Sequence, residues 1–166
     1  FLLVDEDLNV LQGEGMVNPA NRFHLWVYRE RNDVNSIVHT HPPHASALAM
    51  IGQPLKPSHM DTTMFLMIAP SLSIGQAAIG DDEGELIATA LGDKRAILLA
   101  HHGQLSAGGS IEEATVLAYH FEVAARLQLL AMAAGEIKVL DPAYAKDAHD
   151  YRLKPVVLDA TFLYQI

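Results

Sequence analysis

The sequence predicts an α/β fold in which helices cover both faces of a central sheet. Short apolar runs rich in β-branched residues alternate with amphipathic stretches of helical period along the 166 residues. Half of the residues are hydrophobic, so the chain can bury roughly 70% of its unfolded surface in one core. There is no internal repeat and no low-complexity segment. We therefore expect one domain over residues 1–166.

The chain opens with a predicted hairpin and then a predicted helix. Residues 1–4 and 9–12 are apolar runs separated by an acidic turn, which is typical of two paired strands. Asn18 is a helix-capping residue type, and Pro19 suits the first helical position. His24 lies beside the apolar face of this helix, and we expect it to be packed and hydrogen-bonded to nearby backbone.

Two later apolar runs end in histidines. Residues 37–41 read as a strand in which His39 and His41, two positions apart, point to the same face. Residues 96–100 form a second such run, followed by a histidine pair that includes His102. One His-x-His pair among nine histidines is more often incidental than ligating, but two buried strands that both end in histidine favour a shared site. Three imidazoles with one open position are the ligand set of a catalytic zinc site.

The predicted ligands are His39, His41 and His102, with His101 pointing away because side chains alternate along a strand. The sequence contains no cysteine, so a transition metal must be held by nitrogen and oxygen donors. We expect one divalent metal ion, zinc by preference and manganese as the second possibility.

The middle of the chain contains one further group of titratable residues. Residues 45–51 are predicted as a short buried helix, and residues 64–69 as a strand. Residues 58–63 lie between these two elements and form a polar cluster that includes His59 and Asp61. We expect this cluster to have no partner in its own vicinity. An isolated His-x-Asp is more often part of a capped turn than of a catalytic site.

Two more helices and a tail complete the chain. Residues 81–91 are predicted as an amphipathic helix with acidic residues in its first turn. Ser110 and Glu113 form a capping box that starts a long helix ending at Gly135. Glu122 on this helix is assigned to its solvated face. The tail, residues 136–166, is too short for a domain and is expected to pack on this domain or on a neighbour.

Composition excludes several partners. The formal charge is −9 and the basic residues are scattered, so the chain offers no basic stripe for nucleic acid. No apolar run approaches the ~20 residues of a membrane span, and no signal peptide is evident. The lack of cysteine weakly favours a reducing compartment, and we expect a cytoplasmic protein.

Three motifs carry a family resemblance. Residues 32–41 (Asn-Asp-Val-Asn-Ser-Ile-Val-His-Thr-His), residues 98–103 (Leu-Leu-Ala-His-His-Gly) and residues 109–114 (Gly-Ser-Ile-Glu-Glu-Ala) resemble the class II aldolase and adducin head family in order and spacing, up to about Gly135. The resemblance implies a three-layer α-β-α sandwich with a mostly antiparallel sheet, and a homotetramer with active sites near subunit contacts. It also implies that an amino-terminal segment, with a loop that often holds a substrate's phosphate or carboxylate, is missing here.

The chain departs from the sugar-phosphate aldolases of this family at one position. Those enzymes carry a glutamate four residues before the helix histidine, as base and resting-state ligand, preceded by phosphate-holding serines. Here that position is Ala20, and the serine positions hold Asn18 and Pro19, which is similar to the adducin-like branch. Two function classes stay open: a metal-dependent lyase for small oxo- or hydroxy-acids or ketoses, and a catalytically silent assembly module.

For the lyase, the resemblance implies a different proton-handling residue. Asp61, two residues after His59, is similar to an element of the epimerase branch in which the aspartate handles a proton. We expect Asp61 and His59 to be catalytic and to approach the metal from a neighbouring chain. We also expect phosphorylated sugars to be poor substrates.

Overall fold

The computed structural model describes residues 1–66, 69–72 and 81–165. Its strands are β1 (Leu3–Val4), β2 (Val10–Gln12), β3 (Ser36–Thr40), β4 (Ala69–Leu72), β5 (Ala96–Leu99) and β6 (Gln104–Gly108). Its helices are α1 (Asn21–Glu30), α2 (Pro43–Met50), α3 (Asp81–Leu91), α4 (Ile111–Ala134), α5 (Pro142–Arg152) and α6 (Pro155–Gln165), with a 3-10 helix at Met60–Phe65.

Four strands form the central sheet in the order β3-β6-β5-β4. The pairs β3/β6 and β6/β5 are antiparallel, whereas β4 and β5 are parallel. The predicted hairpin forms separately as the antiparallel pair β1/β2. A mostly antiparallel sheet between helical layers confirms the predicted three-layer α/β fold.

The core divides into two clusters, one on each face of the sheet. The alternation of side chains along β5 places Ala96 and Leu98 in one cluster and Ile97 and Leu99 in the other. The first cluster joins the sheet to α2, α4 and α6, and the second joins it to α1 and α3. Because β5 is buried on both faces, it reads as a continuous apolar run in the sequence.

The carboxy-terminal residues form two helices that pack on the rest of the chain. Asp141 caps α5 through hydrogen bonds from the backbone N–H groups of Ala143 and Tyr144. Leu158 of α6 is buried in the same cluster as Phe121 of α4. Within the described part of the chain, no helix is both long and apolar enough to cross a membrane.

Two predicted boundaries were wrong. Helix α1 begins at Asn21, because residues 18–20 form a turn in which the Asn18 side chain accepts a hydrogen bond from the Ala20 N–H. The strand predicted at residues 64–69 is replaced up to Phe65 by the 3-10 helix, and residues 67–68 lie outside the described residues. The hydroxyls of Thr62 and Thr63 donate to carbonyls three residues earlier, which favours a tight helical turn over a strand.

Two other elements differ from the expectation. Helix α2 starts at Pro43 rather than at residue 45, since proline is well suited to a first helical position. Strand β6 was not predicted from the sequence. It contains glutamine, serine and glycine and no β-branched residue, yet all five of its residues are buried.

Candidate metal centre

The fold brings the two histidine-bearing segments to the same end of the sheet. Strands β3 and β5 are not neighbours, because β6 lies between them. Both run antiparallel to β6, so their carboxyl ends meet at the start of β6. His39 lies within β3, His41 follows its end, and His102 lies in the turn between β5 and β6. His102 therefore reaches the cluster through this turn, and not through the alternation of side chains along a strand.

Three imidazoles converge at this point. One ring nitrogen from each of His39, His41 and His102 lies within 4.8 Å of the other two, and the Nε2 atoms of His39 and His41 are 3.1 Å apart. The ring centroids are 4.5 to 4.9 Å apart. Two nitrogens bound to one tetrahedral zinc at 2.0–2.1 Å are separated by about 3.3 Å. The cluster therefore fits a single divalent metal ion.

His39 is held in the orientation that a metal ligand requires. Its Nδ1 lies 3.0 Å from the carbonyl oxygen of Gln104, to which it donates, so the lone pair is on Nε2. Burial, followed by the proximity of His102, lowers the pKa of His39 to about 4. Burial also lowers the pKa of His102. Both imidazoles are therefore neutral near pH 7, which is the form that binds a metal.

A tight turn delivers His102 to the cluster. The His102 N–H donates to the Leu99 carbonyl and the Leu99 N–H donates to the Gly103 carbonyl, which closes the turn between β5 and β6. His101 has a φ of 57°, in the left-handed region. A Cβ atom on Gly103 would lie 2.4 Å from the Thr40 carbonyl oxygen and 2.7 Å from Cδ2 of His41. Only glycine fits there.

His24 lies behind the cluster. Its neighbour Phe23 contacts both His24 and His39, with ring centroids 5.0 and 4.9 Å away. The expected backbone hydrogen bond is not formed by Nε2 of His24, which is buried without a partner among the described residues. Burial lowers the pKa of His24 to about 4.

The lowered histidine pKa values predict a loss of stability in mild acid. Between pH 6.5 and about 4, His24 and His39 are neutral in the folded protein but protonated in the unfolded chain. The unfolded state thus binds more protons, so the free energy of unfolding of the metal-free protein falls as the pH drops through this window. Urea unfolding in EDTA at about pH 7 and pH 5 measures the effect, and the pH difference should be smaller for His24→Gln. Equal midpoints at the two pH values would contradict this.

Asp61 is not part of the histidine cluster of its own chain. Its carboxylate lies 3.1 Å from Arg152 on α5, 3.5 Å from His120 on α4 and 3.4 Å from His59. The expectation that this segment lacks partners in its own vicinity was therefore wrong. His120 is the main cause of the lowered pKa of Asp61, with Arg152 and His59 adding to it. Whether Asp61 and His59 approach a neighbouring chain's metal stays a prediction.

Two contacts near the cluster were not predicted. The buried Gln104 side chain donates to Thr40 Oγ1 and accepts from Ser106 Oγ, which fixes the strand pair behind His39. Glu122 was assigned to a solvated face, but its carboxylate accepts hydrogen bonds from the start of α2. The Gln104–Thr40 and Glu122–His44 hydrogen bonds have no sequence signal, because their partners are 64 and 78 positions apart.

Comparison with known proteins agrees with this geometry. Residues 1–129 match the family described as Class II Aldolase and Adducin N-terminal domain. A 5-deoxy-D-ribulose 1-phosphate aldolase of Bacillus thuringiensis serovar kurstaki is 31% identical over 84% of this chain and 65% of its own length. A 3,4-dihydroxyphthalate decarboxylase of Arthrobacter keyseri is 32% identical over 80% of this chain and 58% of its own length.

A solved structure shows the same fold. The L-fuculose 1-phosphate aldolase from Glaciozyma antarctica PI12 superposes with a TM-score of 0.85 and 26% identity, over 98% of this chain and 66% of that one. The chain spans less than two thirds of either curated relative described above. Because the family match covers residues 1–129 of 166, the chain belongs to the class II aldolase and adducin N-terminal domain family.

Proposed function

We propose that this chain is the metal-binding unit of a lyase that breaks a carbon–carbon bond next to a carbonyl group. The observation that carries the proposal is the convergence of His39, His41 and His102 at the end of the sheet, with two Nε2 atoms 3.1 Å apart. The ligand set contains only imidazole nitrogen, which suits zinc. Manganese, which prefers oxygen ligands, is the second candidate.

The chemistry of such a site is enolate formation. His39, His41 and His102 would hold the ion, and a divalent metal held by three neutral imidazoles would keep its full charge and supply the Lewis acidity that polarises a carbonyl oxygen and favours an enolate as the carbon–carbon bond breaks. The other product of that cleavage would be an aldehyde or carbon dioxide. The protein's own residues must bind the substrate, exclude competing ligands and move a proton.

We propose an unphosphorylated oxo-acid, hydroxy-acid or ketose as the substrate class. Ala20 occupies the position at which the sugar-phosphate enzymes of the family have their glutamate, and an alanine side chain cannot transfer a proton. Asn18 uses its side-chain oxygen on the local turn. A relative that is a decarboxylase supports the view that the scaffold accepts reactions beyond aldol cleavage.

We propose that Asp61, assisted by His59, transfers the proton. In this proposal the chain forms a homotetramer, and Asp61 lies beside the metal of a neighbouring subunit. Its carboxylate is held by Arg152 and His120, which lowers its pKa and keeps it ionised. A carboxylate of lowered pKa is a weak base, so it can remove only a proton made acidic by metal chelation.

Asp61→Asn should lower kcat by about 10²-fold to 10⁴-fold on any substrate that the wild type converts, because the variant cannot transfer the proton. The affinity for the metal should be unchanged, because Asp61 is not a metal ligand in this proposal. The assay is metal-loaded wild type and variant on a panel of oxo-acids, hydroxy-acids and ketoses, with phosphorylated ketoses as a separate arm. Glu112→Gln, which changes a partly exposed carboxylate in the first turn of α4, is the control.

Mixing subunits tests the assembly. If sites are shared between chains, refolding Asp61→Asn together with a metal-ligand variant should restore part of the activity, since some sites then carry both intact groups. Sedimentation of the wild type as a monomer at micromolar concentration would contradict the tetramer.

The second candidate function is an adducin-like assembly module without catalysis, favoured by Ala20. This second function becomes the better hypothesis if metal-loaded wild type and Asp61→Asn are equally active, or equally inert, on the whole panel of substrates.

A further inference from the structure

Glu122 caps a helix to which it does not belong. It lies on α4, and its two carboxylate oxygens accept hydrogen bonds from the backbone N–H groups of His44, at 3.1 Å to each oxygen, and Ala45, at 2.9 Å. His44 Nδ1 also lies 2.6 Å from Oε1 of Glu122. Pro42, the residue that precedes α2, provides no side-chain cap. Glu122 therefore supplies the acceptor and the negative charge that the start of α2 requires.

The start of α2 is joined directly to a proposed metal ligand. His41 is followed by Pro42 and by Pro43, the first residue of α2. Because proline fixes φ near −65°, this connection has little freedom. The direction in which His41 leaves the sheet is thus set by where the first turn of α2 is held.

Helix α2 also contacts the second ligand-bearing segment. The Ser46 hydroxyl lies 3.5 Å from the His102 carbonyl oxygen, and the His101 N–H donates to the Ala49 carbonyl at 3.4 Å. The Glu122 side chain is 24% exposed and that of His44 is 39% exposed, so the contact is only partly screened by water. One carboxylate on α4 therefore holds a helix that touches both sides of the histidine cluster.

We propose that Glu122 is a positioning residue for the metal centre, which acts through the first turn of α2 to hold His41 against His39 and His102. The inference depends on the metal site proposed above. The competing explanation is that Glu122 stabilises α2 without any effect on the metal. A measurement of metal affinity separates the two explanations, because a stability effect alone leaves the affinity of the folded protein unchanged.

The test compares Zn²⁺ affinity and thermal unfolding for wild type, Glu122→Ala, Glu122→Gln and Ser110→Ala. Affinity is measured by competition with a chromophoric chelator. Glu122→Ala should weaken Zn²⁺ binding about 10-fold to 100-fold, the range typical of losing an outer-shell partner. Glu122→Gln keeps one acceptor oxygen and should be intermediate. Ser110 caps α4, which carries no ligand, so Ser110→Ala should lower the melting temperature with Zn²⁺ affinity within about twofold.

Each outcome is decisive. Equal Zn²⁺ affinity of wild type and both Glu122 variants overturns the positioning role while the metal site stands. Equal weakening by Ser110→Ala and the Glu122 variants assigns the effect to general stability and also overturns it. If the wild type binds neither Zn²⁺ nor Mn²⁺, the proposed function fails and this inference fails with it. If Glu122→Ala does not fold, the Zn²⁺ affinity of the closely isosteric Glu122→Gln variant decides between the two explanations.

Discussion

His39→Ala is expected to abolish binding of a divalent metal at micromolar concentration. His39 is the ligand whose orientation is fixed, through its Nδ1 and the Gln104 carbonyl, and its Nε2 lies 3.1 Å from that of His41. Removing a direct ligand should cost more than the roughly 10-fold to 100-fold that the loss of an outer-shell partner costs. Equilibrium dialysis against Zn²⁺ with elemental analysis measures the loss.

Thermal unfolding gives a second readout of the same change. A ligand that binds only the folded state adds about 2.7 kcal/mol of stability at 100 times its Kd, so Zn²⁺ should raise the melting temperature of the wild type and EDTA should lower it. Neither should change the melting temperature of His39→Ala. His101→Ala is the matched control, because His101 lies beside His102 in the same turn but outside the cluster. Zn²⁺-treated wild type whose melting temperature is unchanged by EDTA would contradict the site.

The convergence of the three histidines was predictable in part. The two-residue period of a strand places His39 and His41 on one face, and this needs only local geometry. The structure places His102, and not His101, beside His39 and His41, but it does so by a different route from the strand alternation on which the prediction was based. Strand β5 ends at Leu99, and a tight turn with a left-handed His101 brings His102 to the site. Turn geometry of this kind is not encoded in hydrophobic alternation.

Long-range contacts account for what the sequence did not reveal. From the sequence, Glu122 is predicted to be an ordinary exposed helix residue. Its contact in the structure is with the start of α2, at His44, 78 positions earlier in the chain. Asp61 was judged to lack partners, yet His120 and Arg152 come from helices much later in the chain. Strand β6 was missed because Gln104 and Ser106 look solvent-exposed in sequence, whereas their side chains satisfy one another in the interior. Pairing between distant polar groups has no periodic signal.

Gly103→Ala should disrupt both the fold and the metal centre. The added methyl carbon would lie 2.4 Å from the Thr40 carbonyl oxygen and 2.7 Å from His41 Cδ2. The first contact is with backbone at the end of β3, which cannot rotate away, so the start of β6 or the His41 ring must move. We expect destabilisation of about 3 kcal/mol, at the upper end of the usual cost of overpacking. Zn²⁺ affinity should fall with it, because the displaced ring is one of the three ligands.

Gly109→Ala is the matched control at the other end of β6. A Cβ atom there would meet its nearest atoms, Glu113 Oε2 and the Asp33 carbonyl oxygen, at 3.4 and 3.5 Å, which is ordinary contact. Its stability should change by less than about 1 kcal/mol, and its Zn²⁺ affinity should equal that of the wild type. Urea unfolding and chelator competition on both variants measure the two effects. If Gly103→Ala kept wild-type stability and wild-type Zn²⁺ affinity, the close packing of the β5–β6 turn against His41 would be wrong, and the route by which His102 reaches the cluster would have to be revised.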